Sequence, residues 1–125
     1  MATNARKEAG AAAEHAALNY LEAQGLELVV RNYRCRGGEL DLVMLDRSTL
    51  VLIEVRYRAS DAFGGAAASV TRHKQRRLIL AARHLLTTQS RLRRYRARFD
   101  VIAVTGGNDF PIRIEWLKDA FVLDR

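Results

Sequence analysis

Hydrophobic and polar positions repeat along this 125-residue chain with two different periods. Over residues 7–24 the alanines and leucines recur at helical spacing and Gly25 supplies a left-handed stop, which predicts a first helix. The 3.6-residue repeat sets Ala11, Glu14, Leu18 and Leu21 on one face, so Glu14 lies on the stripe that enters the core. Three runs rich in Val, Leu and Ile follow, at residues 26–33, 38–46 and 50–57, and read as strands. The polar link Asp46-Arg47-Ser48-Thr49 is short enough to close a hairpin between the last two. A Gly/Ala stretch over residues 63–69 leads to a second helix capped by Ser69 or Thr71. Its inward stripe is Lys74, Leu78, Ala81 and Leu85, with Ile79, Ala82 and Leu86 beside it. Residues 99–104 predict another strand, 106–109 a turn, 112–117 a last short strand and 119–123 a final helical turn. The order α-β-β-β-α-β-β is that of a single α/β domain over residues 1–125, a mixed central sheet flanked by helices.

The acids on the central hairpin change this from a fold to a candidate site. Strand alternation puts Glu39 and Asp41 on one side with Val43 and Leu45, and Glu54 and Arg56 on one side with Leu50 and Leu52. If Asp46 and Thr49 close a two-residue turn, Asp41 falls opposite Glu54 and Glu39 opposite Arg56. Opposed carboxylates destabilise a sheet unless one is protonated or a cation sits between them. Hard oxygen donors in this arrangement suit Mg²⁺ or Mn²⁺, and Glu14 adds a carboxylate if its helix packs over the same face. Acids alternating with aliphatics are ordinarily a solvated face. Here they occupy one end of an apolar face, which marks the rim of a core.

Charge sharpens the picture further. The chain carries 21 Lys+Arg against 14 Asp+Glu, a formal net charge of +7. Residues 72–98 hold ten of the basic residues and no acid, leaving −3 for the rest. Such a cluster attracts polyanions. It is mostly arginine, whose planar fork suits phosphate, so Arg72, Arg76, Arg77, Arg83, Arg91, Arg93, Arg94 and Arg96 are candidate nucleic-acid contacts. No apolar run reaches the roughly 18–20 residues of a membrane span. The start of the chain lacks the apolar stretch of a secretory leader, so a cytoplasmic location is expected. The single cysteine, Cys35, leaves no disulfide framework and no Cys-rich zinc site. His15, His73 and His84 lack metal-ligand spacing and read as surface or helix-end residues. Trp116 reads as core, and Asp100 either as a further acid near the site or as a strand-end cap.

Gly37-Gly38-Glu39-Leu40-Asp41-Leu42 followed by Glu54-Val55-Arg56 resembles the D…(D/E)-x-K motif of restriction-endonuclease-like nucleases. With Gly10-x-x-x-Glu14, Arg31-Asn32, Phe63-Gly64-Gly65, Val70-x-x-x-Lys74, Arg98-Phe99-Asp100 and Ala120-Phe121, the pattern is similar to that of the small bacterial YraN-type family, related to archaeal Holliday-junction resolvases. The resemblance spans nearly the whole chain and implies a restriction-endonuclease-like αβββαβ core. It implies Asp41 and Glu54 as metal ligands, with Glu39 or Glu14 assisting, and puts Arg56 where the nuclease motif has lysine. A guanidinium cannot serve as a base; Arg56 can hold phosphate, and Lys74 is the candidate substitute at the reacting water.

The expected function is therefore divalent-metal-dependent endonucleolytic cleavage of DNA, branched DNA among the substrates, with RNA left open. The related resolvases are dimers, which makes a homodimer one expected assembly. Two other classes stand beside it: a non-catalytic nucleic-acid-binding relic or accessory subunit, favoured by Arg56, and an interaction module whose basic face meets an acidic protein.

Overall fold

The β-branched and leucine-rich segments assemble into one five-stranded sheet. The computed structural model describes residues 2–58, 70–107 and 110–121. Strands β1 (Glu27–Cys35), β2 (Gly38–Asp46), β3 (Thr49–Arg58), β4 (Arg96–Gly107) and β5 (Phe110–Phe121) lie side by side in chain order. Neighbours are antiparallel except β3 and β4, which are parallel. That parallel pair needs a crossover, and α2 (Arg72–Thr88) with a short 3-10 helix (Ser90–Arg94) supplies it. Helix α1 (Ala2–Ala23) covers one face of the sheet and α2 the other. This single-domain arrangement is the expected αβββαβ core, extended by β5.

Alternation along the central strands feeds both faces. Leu50 and Leu52 pack toward α2, while Val51 and Ile53 pack toward α1. On β4, Val101 and Ala103 face α2 and Ile102 and Val104 face α1. A sheet buried on both sides explains why these strands read as continuous apolar runs. Thr71 caps α2 as expected, its hydroxyl accepting from the Lys74 amide at 3.2 Å. Leu78, Ala81, Ala82 and Leu85 form its buried stripe. On α1 the buried stripe is Ala13, Ala17, Leu18 and Leu21, with Ala11 exposed, a shift of the expected face that leaves Glu14 on its margin.

Two expectations fail for identifiable reasons. Residues 119–121 continue β5 rather than turning into a helix. Asp119 sits at φ 55° in a register shift of the β4–β5 ladder, and its amide donates to Asp100 Oδ1 at 2.9 Å. Asp100 is fully buried and also accepts from Trp116 Nε1 at 2.8 Å and Arg98 Nε at 3.1 Å, while Arg98 reaches Asp46 Oδ2 at 3.1 Å. It is neither a strand-end cap nor a member of the acidic site; it ties β4 to β5. Trp116 is partly buried against the α1-side core, edge-to-face on Tyr20 with ring centres 6.3 Å apart. The Phe63–Gly65 motif, Ser69 and the expected turn at residues 108–109 fall outside the described residues.

The second failure concerns strand parity. Leu42 and Met44 pack toward α1, yet Leu40, of the same parity, packs toward α2. Opposite this point, between the pairs Arg31↔Leu42 and Tyr33↔Leu40, lies Asn32 at φ 50°. Asparagine tolerates that left-handed conformation better than most residues. The hairpin therefore rotates about its own axis, and the period-two count carried from Val43 and Leu45 to Glu39 and Asp41 breaks there. Its tip swings onto α2, where the Tyr33 hydroxyl is shared between His84 Nδ1 and, at 3.2 Å, Thr88 Oγ1.

Gly38 makes that docking close. A Cβ there would stand 2.3 Å from the Arg77 carbonyl oxygen and 3.0 Å from the Ala81 amide nitrogen, both backbone atoms. Gly38→Ala is expected to cost roughly 1–3 kcal/mol through overpacking, measured as a lower urea midpoint with an unchanged slope. A midpoint equal to wild type would show that the tip and helix separate freely.

Candidate functional site

The β2–β3 ladder runs from Asp46↔Thr49 to Leu42↔Ile53 and ends there. The closing pair and register are those expected, and beyond Leu42 the strands no longer pair. The Asp41 carboxylate takes the place of the missing backbone acceptor: its Oδ2 accepts from the Val55 amide at 2.8 Å. The side chains of Asp41 and Glu54, the next residues in register, come close enough for a hydrogen bond once one of them is protonated. Two carboxyl groups share a hydrogen bond only when one keeps its proton.

Burial pushes the Glu54 carboxyl up to about 8, helped by the charge of Asp41 and the bond between them; Arg56 and Lys74 pull the other way. Asp41 is also raised, chiefly by burial, although the hydrogen bonds from Glu54 and Val55 oppose the rise. Near neutral pH the pair as a whole retains a proton. Glu14 approaches Asp41 from the α1 side, and burial first, then the Asp41 charge, raises its carboxyl too. Its Oε1 is buried with no hydrogen-bond partner.

Glu54 opens into a cleft of about 270 Å³ bordered by Glu39, Arg56, His73, Lys74, Arg77 and Leu78. Glu39 reaches the rim but pairs with Arg34, its cross-strand neighbour, at 3.3 Å. Lys74 stands close enough to lower the Glu54 carboxyl, as its inward position on α2 predicted. The arrangement thus brings Asp41, Glu54, Arg56 and Lys74 together, sets Glu14 against Asp41 from behind, and leaves Glu39 at the margin. Among the described residues no group of three or more His, Cys, Asp or Glu side chains is placed to hold a metal ion. The donors that can do so are the Asp41–Glu54 pair, whose shared proton a divalent cation can replace.

The arginines, contiguous in sequence, scatter in space. Of the eight candidate contacts only Arg77 borders the cleft. Arg72, Arg76 and Arg83 line a separate groove on the other flank of α2. Arg91, Arg93 and Arg94 lie past the C-terminal end of α2, and Arg96 pairs with Thr49. Glu54 is five residues further along β3, about 17 Å at the strand rise. Arg93 Nε caps the Leu86 carbonyl and Arg94 lies over the Tyr95 ring. His73 is exposed at the start of α2, as expected of a surface or helix-end residue, and also borders the cleft; its place beside Lys74 was the available signal.

A single α/β domain with a partly protonated carboxylate pair facing basic side chains, where two strands part, defines the class. The chain belongs to the UPF0102 family, the YraN family whose motifs it resembles: that family's model, described as an uncharacterised protein family, matches residues 13–104. A UPF0102 protein of Pseudomonas putida is 50% identical over 121 residues, covering 97% of this chain and 98% of its own length. Another, from Cupriavidus taiwanensis, is 55% identical over 120 residues, covering 95% of this chain and 86% of its own. A third, from Saccharophagus degradans, is 49% identical over 117 residues, with 94% and 95% covered. No helix among the described residues is long and apolar enough to cross a membrane.

Proposed function

We propose that this protein is a divalent-metal-dependent endonuclease acting on DNA. The observation that carries the reading is the Asp41–Glu54 pair, two half-buried carboxyl groups brought together where Glu54 opens into a cleft of about 270 Å³ lined also by Lys74 and Arg56. Holding two carboxyls together at the mouth of a core is costly for stability, and such sites are commonly functional. In this reading Asp41 and Glu54 hold Mg²⁺ or Mn²⁺, and Glu14 and Glu39 add negative charge around them. The ion would supply acidity to a water molecule and offset charge on the scissile phosphate. Lys74 orients the attacking water, and Arg56 and Arg77 bind non-bridging phosphate oxygens. Water adds to phosphorus, one P–O ester bond breaks, and the leaving oxygen takes a proton. Arg91, Arg93, Arg94 and Arg96 add a sequence-independent attraction for DNA that weakens steeply with salt.

The expected result is Mn²⁺-dependent cleavage of plasmid and branched DNA that Asp41→Asn or Glu54→Gln lowers at least a hundredfold. Filter retention of the same DNA stays within about twofold of wild type. Equal cleavage by all three proteins would reject the assignment. One observation favours the non-catalytic alternative, namely that Glu39 is held by Arg34 and does not join a ready-made three-carboxylate cage. Calorimetric titration with Mn²⁺ separates the two readings, because a relic gives no saturable heat dependent on Asp41.

A further inference from the structure

A second concavity, larger than the carboxylate cleft, lies apart from it. On the opposite flank of α2 runs a groove of about 700 Å³, sharing no lining residue with the cleft. Its apolar lining is Ile79, Leu80 and Phe121, and its guanidinium groups come from Arg72, Arg76 and Arg83. The Phe121 ring is stacked on Phe99 with centres 4.7 Å apart, which fixes it as a rigid part of the surface. Leu80 is 46% exposed, among the most exposed large apolar side chains described. One helix covers only part of the width of a five-stranded sheet, and this groove lies where α2 gives way to the margin at β5.

We propose that the groove docks an acidic, apolar-anchored segment of a partner protein. Among the described residues three cations and no acid line it, so charge complementarity selects a negative occupant. A second copy of this chain is a poor fit, because it brings a net charge of +7 to an already positive surface. A bare phosphodiester strand would satisfy the guanidinium groups. It would still leave Ile79 and Leu80 uncovered, and the one aromatic face is shared with Phe99. Apolar side chains from a peptide fill such a floor, and arginine with aromatic residues is the composition of protein-binding surfaces.

The spacing defines the occupant further. Arg72 to Arg76 is four residues and Arg76 to Arg83 seven, about 6 Å and 10.5 Å along the helix axis. An extended segment rising about 3.3 Å per residue matches them with acids two and then three residues apart, large apolar residues lying between.

Selection of phage-displayed dodecapeptides on the full-length chain at physiological salt tests this. Leu80→Ser and the Arg76→Glu/Arg83→Glu double variant serve as counter-screens; all three positions are exposed, and thermal melts verify that the variants fold. Enriched peptides are expected to carry the acid spacing around Phe, Leu or Trp. A synthetic representative is expected to bind with micromolar Kd and to weaken at least tenfold on either variant, with the cleft residues untouched. Enrichment without an acidic-apolar consensus, no enrichment, or binding that persists on both variants would overturn the proposal. So would displacement of the peptide by oligothymidylate at concentrations below those of the peptide itself, which would make the groove a nucleic-acid surface.

Discussion

Glu54→Gln is expected to melt at a higher temperature than wild type, with a gap that widens as pH rises from about 5 to about 9. The folded pair holds its proton up to about 8, against an ordinary glutamate value of 4.5. Across that window the native state binds more protons than the unfolded chain, so stability falls as pH rises. Below the unfolded value both states are protonated and the penalty vanishes; above about 8 it is complete. Glutamine keeps the shape and a donor toward Asp41 but has no proton to lose. The difference at pH 9 is on the order of 2 kcal/mol, allowing for relaxation around the charged pair. For a domain of this size that is roughly 8 °C in Tm. Parallel melting curves for the two proteins at every pH would refute a shared proton. Millimolar Mn²⁺ should raise the wild-type Tm and leave the variant nearly unmoved, since binding stabilises only the state with a competent site.

The opposite sign is expected for Asp100→Ala. Alanine removes the acceptor for Arg98 Nε, Trp116 Nε1 and the Asp119 amide at once, inside a side chain that is 0% exposed. Breaking a buried ion pair from one side costs about 3–5 kcal/mol, because the remaining charge is stranded. Urea unfolding followed by circular dichroism should register that loss, with Asp100→Asn intermediate because one carbonyl oxygen remains. A loss below about 1 kcal/mol would mean that Arg98 finds full compensation at Asp46.

Those two acids also mark what a sequence does and does not disclose. Asp41 and Glu54 were legible because one turn, Asp46 to Thr49, sets their register, and turn chemistry is local. The Thr71 cap and the stripe of α2 were legible for the same reason. Asp100 was not, since its partners lie 2, 16 and 19 residues away and only the folded sheet gathers them. The rotation at Asn32 was hidden too, because a left-handed asparagine within a strand leaves no mark in the hydrophobic pattern. Strand parity, reliable on either side of it, fails across it. The arginine run misled in another way. A linear cluster of charge becomes three surfaces once a helix and a 3-10 turn wind it, and only Arg77 ends beside the carboxylates.

The absence of one methyl group at residue 38 also governs how the cleft can respond to what enters it. Gly38 and Arg77 lie 39 residues apart in the chain, yet strand and helix backbone there are in direct contact, with the space for a side chain already taken. Neither wall can lean outward alone. A ligand too broad for the opening would have to part strand from helix to enter, so fit at that point rests on the shape of the ligand.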